Sequence, residues 1–253
     1  MPPIDLNADL AEHEVWTDDD AALLDHVTSA SLACGFHAGG AGVMRDAVAA
    51  CVERGVAIGA HVSYRDRDGF GRRDLDVGPE RLAADVVEQW DALVAEAAVV
   101  GGTVTYVKAH GALYNRMAVD PEVAATGVGA LAGRCGAVLA PPASAVAAVA
   151  GAAGIRLVAE GFCDRGYDDR GLLLPRGAPG ALVEDPDAVG DRARALVVDR
   201  GVASVGGAWV ALDVRTLCIH GDRPGAVTRA RAVRAALARA GVPVRSFATP
   251  GRS

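Results

Sequence analysis

Lysine is almost missing from this sequence. Of its 25 basic side chains, all but Lys108 are arginine. A P-loop closes its glycine loop with Gly-Lys-Ser/Thr. The one lysine stands instead in Thr-Tyr-Val-Lys-Ala-His, so ATP, if it is used, is held by an unrelated site or by a partner chain. The five cysteines (34, 51, 135, 163 and 218) are odd in number, widely spaced and without a CxxC. They exclude a disulfide scaffold and a zinc knuckle. No HExxH or HxxxH spacing occurs, so any metal site has to be assembled from separate segments. Basic blocks are absent too, and 32 acidic residues give a net charge of −7. That balance argues against nucleic acid and anionic membranes as partners. Residues 1–10 have neither the basic start nor the apolar core of a signal peptide. The most apolar stretch, 137–155, is broken by Pro141, Pro142, Gly151 and Gly154, and its Ala and Gly content is too weakly apolar to span a bilayer. Reduced thiols and no targeting segment point to a cytoplasmic protein.

What remains is globular: 253 residues, 51% hydrophobic and 23% charged. Short β-branched runs near 3–8, 28–33, 56–60, 103–107, 136–140, 155–159 and 215–219 read as strands. Helical patterns fall near 18–27, 41–54, 79–100, 121–134, 143–153, 186–200 and 225–240. Pro79 after Gly78, Asp120-Pro121 and Asp185-Pro186 mark helix starts, and Gly55, Gly101, Gly201 and Gly241 mark ends. Strand–helix alternation about seven times implies parallel strands with crossover helices. An open doubly wound sheet and a closed barrel both fit. The placement of polar residues favours an α/β fold of the TIM-like (β/α)-barrel type, irregular and with about seven strands, as one domain over 1–253. A hairpin over 204–210, turning at Gly206-Gly207, interrupts the pattern. The loop 161–184 has the length of a lid or binding segment.

Parallel α/β folds carry their chemistry at the carboxyl ends of strands. Read there, the chain places Asp5, Asn7 and Asp9 on strand one, His37 after strand two and His61 after strand three. Lys108 and His110 end strand four, Glu160 ends strand six, and His220 ends the last. Four of six histidines, a lysine and several carboxylates converging on one mouth favour a catalytic or metal site over isolated structural residues. Period-2 geometry points Asp5, Asn7 and Asp9 to one face, either as a buried structural network or as a base, ligand or orienter. His26 reads as structural, and Cys34 as a small packed residue. The glycines of Gly69-Phe70-Gly71 let the backbone approach a ligand, and Arg72 and Arg73 offer forked donors for a carboxylate or phosphate. Pro175-Arg176 is a weaker signal of the same kind. His and Asp at strand ends also admit zinc or manganese.

Seven segments in order resemble the lactam-utilisation protein family, read as the A-subunits of the ATP-dependent 5-oxoprolinases. They are Asp5-Leu6-Asn7-Ala8-Asp9-Leu10, Ala33-Cys34-Gly35-Phe36-His37-Ala38-Gly39, Gly59-Ala60-His61, Gly69-Phe70-Gly71-Arg72-Arg73, His110-Gly111-Ala112-Leu113-Tyr114-Asn115, Ala159-Glu160 with Asp164-Arg165 and Tyr167, and His220-Gly221-Asp222. The chain departs from the family pattern at Ala11, usually Gly, at Gly40, usually Asp, and at Val62 and Ala109, usually Pro. The resemblance implies a barrel related to sugar deacetylases and glycosidases. It also implies ATP-driven opening of 5-oxo-L-proline to L-glutamate with two partner subunits, B and C, ATP being bound mainly by those partners and a divalent metal being admissible.

Opening a lactam needs a base for water, an acid for the departing nitrogen and cations for the developing anion. Asp9, His37 or His61 is then the candidate base. Lys108 or His110 polarises the oxygen, and Asp5 and Glu160 orient imidazoles, with Asn7 and His220 in the same catalytic set. Arg72 or Arg73 grips the substrate carboxylate, alongside Tyr114, Asn115, Asp164, Arg165 and Asp222. A stand-alone metal-dependent amide hydrolase or deacetylase and a non-catalytic lactam carrier are the alternatives.

Overall fold

The computed structural model describes residues 1–248. Seven parallel strands close into a barrel: β1 Asp5–Leu10, β2 Ser29–Ala33, β3 Ala57–Val62, β4 Val104–Ala109, β5 Ala137–Ala140, β6 Arg156–Phe162 and β9 Thr216–His220. They pair in chain order, and β9 lies against both β6 and β1. The closed form of the two architectures is thus the one adopted. A separate antiparallel hairpin, β7 Gly201–Ala203 and β8 Trp209–Ala211, carries Gly206-Gly207 in its turn.

The helices cover the outside: α1 Asp18–Leu24, α2 Ala41–Arg54, α3 Pro79–Val99, α4 Gly111–Val119, α5 Pro121–Gly129, α6 Ala145–Val149, α7 Pro186–Arg194 and α8 Ala226–Arg239. Their starts follow the cap chemistry in the sequence. Asp120 accepts from the backbone N–H groups of Glu122 and Val123, and Asp185 accepts from that of Ala188. Helix α4, which carries Tyr114 and Asn115 just after strand four, lies outside the helical patterns read from the sequence.

Alternation within each strand decides which side chains enter the barrel. On β1, Leu6, Ala8 and Leu10 join the apolar layer beneath the helices, while Asp5, Asn7 and Asp9 turn inward. The lower barrel is filled by Tyr106, Leu139 and Val158, with Phe247 5.2 Å from the Tyr106 ring. Gly59 is what admits Tyr106, because a Cβ there would lie 2.1 Å from the ring. Asp5 sits at this depth and accepts hydrogen bonds from the hydroxyls of Thr28, Ser29 and Thr216. Burial raises its carboxyl from 3.8 to about 6.

Candidate functional site

One step above Asp5, the Asn7 amide donates to Glu160 Oε1 at 3.0 Å and to Thr216 Oγ1 at 2.7 Å. Glu160 and Asp9 flank Lys108. The ammonium donates to Asp9 Oδ1 at 2.8 Å, lies 2.9 Å from Glu160 Oε1 and sits 3.1 Å from Cys218 Sγ. Burial alone would discharge this lysine, but Asp9 and Glu160 hold it well above its ordinary value. Burial likewise pushes the Cys218 thiol well up, so it stays protonated beside the ammonium. Against the upward push of burial, the neighbouring His61 and Lys108 hold the Asp9 carboxyl well below the usual range. Lys108 is therefore a fixed buried cation between two carboxylates.

Beside it stands a group of three imidazoles and a carboxylate. Glu12 Oε1 lies 3.2 Å from His37 Nε2, 3.1 Å from His110 Nδ1 and 3.8 Å from His61 Nε2. His61 Nε2 and His110 Nδ1 are 3.0 Å apart, and the His37 and His110 rings stack with centroids 3.8 Å apart. Burial and the neighbouring His110 push His37 down to about 3, so it is neutral. The Gly69–Arg73 loop backs this group. Gly71 has φ +64°, and a Cβ on it would stand 2.8 Å from the His110 ring.

Across the mouth, His220 Nδ1 lies 3.0 Å from Asp164 Oδ1, and Asp164 also accepts from the His220 backbone N–H at 3.1 Å. This fixes Nδ1 as the protonated nitrogen and turns the Nε2 lone pair toward the cavity. The cavity, of about 180 Å³, is bounded by Asp9, His61, Lys108, His110, Tyr114 and His220 at its base and by Arg72, Asn115 and Arg176 at its rim. Tyr114 Oη and Glu160 Oε2 are buried without hydrogen-bond partners. Burial, then Glu160, raises the Tyr114 phenol well above its ordinary value. At the rim, Arg72 and Arg176 both donate to Asp222 Oδ2, and Asp222 Oδ1 is left without a partner.

The structure brings Asp9, His61, Lys108, His110 and His220 to the cavity and redistributes other expected roles. Asp5 touches hydroxyls and no imidazole, because it lies two layers below the histidines. Glu160 bears on Lys108 and Asn7, again not on an imidazole. His37 lies behind the cavity wall. Asp164 orients His220 instead of facing a ligand. Arg165 lines the cavity but is buried, and its Nε and Nη2 donate to the carbonyls of Ala181 and Leu174, pinning the long loop. Arg73 turns away to pair with Asp66, and only Arg72 reaches the mouth. Cys34 is packed, and burial raises its thiol to about 12.

Two participants lay outside the expected set. Arg176, a weak signal in sequence, reaches the rim from the long loop. Glu12 is the more instructive. Strand alternation turns residues 5, 7 and 9 inward, which predicts residue 12 outward. Ala11 breaks the parity with a left-handed φ of 61° and swings Glu12 back among the histidines. The usual family glycine at that position was the available signal.

A closed parallel (β/α) barrel with a lysine, histidines and carboxylates gathered at its carboxyl end has the architecture of a barrel enzyme. The chain belongs to the LamB/YcsF family, whose model matches residues 4–251. It is 52% identical to the 5-oxoprolinase A-subunit of Streptomyces griseus subsp. griseus, over 97% of this chain and 100% of that one. A lactam utilization protein from Thermus thermophilus superposes with a TM-score of 0.88 at 40% identity, over 97% of this chain and 100% of the other. A family 4 carbohydrate esterase from Streptomyces lividans shares the fold alone, with a TM-score of 0.51 at 11% identity over 98% of this chain and 95% of the other. Among the described residues, no helix is long and apolar enough to cross a membrane.

Proposed function

We propose that this chain is the lactam-opening subunit of an ATP-dependent 5-oxoprolinase, converting 5-oxo-L-proline to L-glutamate together with two partner subunits. The observation that carries the reading is the cavity of about 180 Å³ with a buried ammonium at its base and two guanidinium groups at its rim. A small cyclic amide with one carboxylate matches that layout. Arg72 and Arg176 take the carboxylate in place of Asp222. The amide oxygen then faces Lys108, whose fixed charge stabilises the negative charge on that oxygen and the phosphoryl group it receives.

His220 Nε2, oriented by Asp164, takes a proton from the water that adds to the lactam carbon. The ring nitrogen leaves with a proton from the Tyr114 hydroxyl, which its raised pKa keeps protonated and which has no other partner. Activation falls to ATP held by the partners, which phosphorylates the amide oxygen and leaves as ADP, consistent with a chain whose one lysine is buried between carboxylates. Breaking the C–N bond then leaves an acyl phosphate, and a second water releases inorganic phosphate from it to give the free carboxylate.

The test is glutamate release from 5-oxoproline, by the chain alone and with its two candidate partners, with and without ATP. The expected result is release only in the complete mixture, reduced at least about 100-fold by Lys108→Met or His220→Ala. ATP-independent release by the chain alone would overturn the reading in favour of an independent amide hydrolase. Full activity of both variants in the complex would leave a carrier role.

A further inference from the structure

The hydrogen-bond partners of the three imidazoles assign their tautomers, and all three assignments point the same way. His61 Nδ1 faces the Lys108 carbonyl at 3.2 Å, and His110 Nε2 faces the Phe70 carbonyl at 2.9 Å. A carbonyl only accepts, so each of these nitrogens carries the ring proton. Ser63 Oγ donates its one proton to the Tyr64 carbonyl, so His37 Nδ1, 3.0 Å away, donates to Ser63. The inner nitrogens, His37 Nε2, His61 Nε2 and His110 Nδ1, are therefore lone pairs. They converge on Glu12 Oε1, itself an acceptor. Four buried acceptors thus face one another with no donor among them, and 3.0 Å between two lone pairs is repulsive. A single extra proton can bridge one pair only; a metal ion serves all four.

We infer that Glu12, His37, His61 and His110 form a binding site for one first-row divalent transition metal, with zinc the best match to three imidazoles and a carboxylate. The spacing agrees. A tetrahedron with bonds of about 2.0–2.1 Å has edges of about 3.3 Å. The ligand atoms that contact one another lie 3.0, 3.1, 3.2 and 3.8 Å apart, and all four fall within 4.8 Å of each other. Each imidazole donates its outer N–H to an oxygen, the support that metal-bound histidines ordinarily have. The neighbouring trio Asp9, Cys218 and His220 does not compete, because Lys108 already occupies Asp9 and the Cys218 thiol keeps its proton.

Four protein ligands make a closed site. It ties together the turn after β1, the segment after β2, the end of β3 and the residue after β4, four segments that build the mouth. Its existence does not depend on which amide the cavity accepts.

The experiment uses the whole chain, freed of metal by chelation, checked for fold by circular dichroism, and titrated with zinc and cobalt(II). The expected result is one equivalent bound, a rise in Tm, and the visible absorption of four-coordinate cobalt. Glu12→Gln and His110→Ala should each weaken binding about 100-fold or more, while His220→Ala retains one equivalent. A folded, metal-free wild-type chain that takes up no equivalent and shows no cobalt band overturns the site. So does stoichiometric binding unchanged in both ligand variants. Should a variant fail to fold, the wild-type titration and cobalt spectrum decide alone. Because none of these readouts is ring opening, failure here is distinct from failure of the 5-oxoprolinase reading.

Discussion

Ala11 carries the turn that brings Glu12 into the site, and it does so in a conformation unfavourable for any residue with a Cβ. Mutating it to glycine removes a buried methyl, worth about 0.8 kcal/mol, and adds flexibility to the unfolded chain. Relief of the left-handed strain, about 1–2 kcal/mol, offsets both losses. Ala11→Gly is therefore expected to stay within about 0.5 kcal/mol of wild type. Ala8→Gly in β1 loses a buried methyl with no such relief and should cost about 1 kcal/mol or more. Urea denaturation of the two variants separates them, and equal losses would remove the strain argument.

Asp5 sets a pH dependence. An acid whose folded-state pKa is raised from 3.8 to about 6 holds its proton more tightly when folded. The stability it contributes is present below about pH 4 and is lost as pH climbs through about 6, a change on the order of 3 kcal/mol. Asp5→Asn should flatten the slope of unfolding free energy across that window. An unchanged slope would show that Asp5 is ionised throughout.

Among the elements, the long segment between β6 and α7 has the clearest functional consequence. Its length alone marked it as a lid or binding loop, and Leu173, Pro175 and Arg176 do line the cavity. Arg165 holds it down through two backbone carbonyls, so the loop is built into the wall. If Arg176 grips the substrate carboxylate, Arg176→Ala should raise KM for 5-oxoproline about tenfold and leave kcat nearly unchanged. A fall in kcat with KM constant would move Arg176 from binding into the chemistry. The Gly-Phe-Gly-Arg-Arg loop, by contrast, was legible as a close-approach loop but not for what it approaches. Its Gly71 makes room for His110, and Arg73 spends its charge on Asp66.

For the whole molecule, closure of β9 onto β1 and β6 joins the first strand to the last. Neither half of the chain then has a complete sheet without the other. Unfolding is expected in one transition, with the same midpoint by far-ultraviolet circular dichroism and by tryptophan fluorescence from Trp16, Trp90 and Trp209. Two separated midpoints would divide the chain into independent units.

Periodicity and end signals made the strand–helix alternation readable, and strand ends made Asp9, His61, Lys108, His110 and His220 readable as one group, because both depend on local residue order. Which residues share a layer depends on barrel closure and register instead. That placed Asp5 below the chemistry, set Asp164 behind His220, and let one left-handed residue turn Glu12 inward. The first two follow from contacts between residues far apart in sequence, such as Asp5 with Thr216, which no local pattern encodes, whereas the third follows from the left-handed backbone at Ala11.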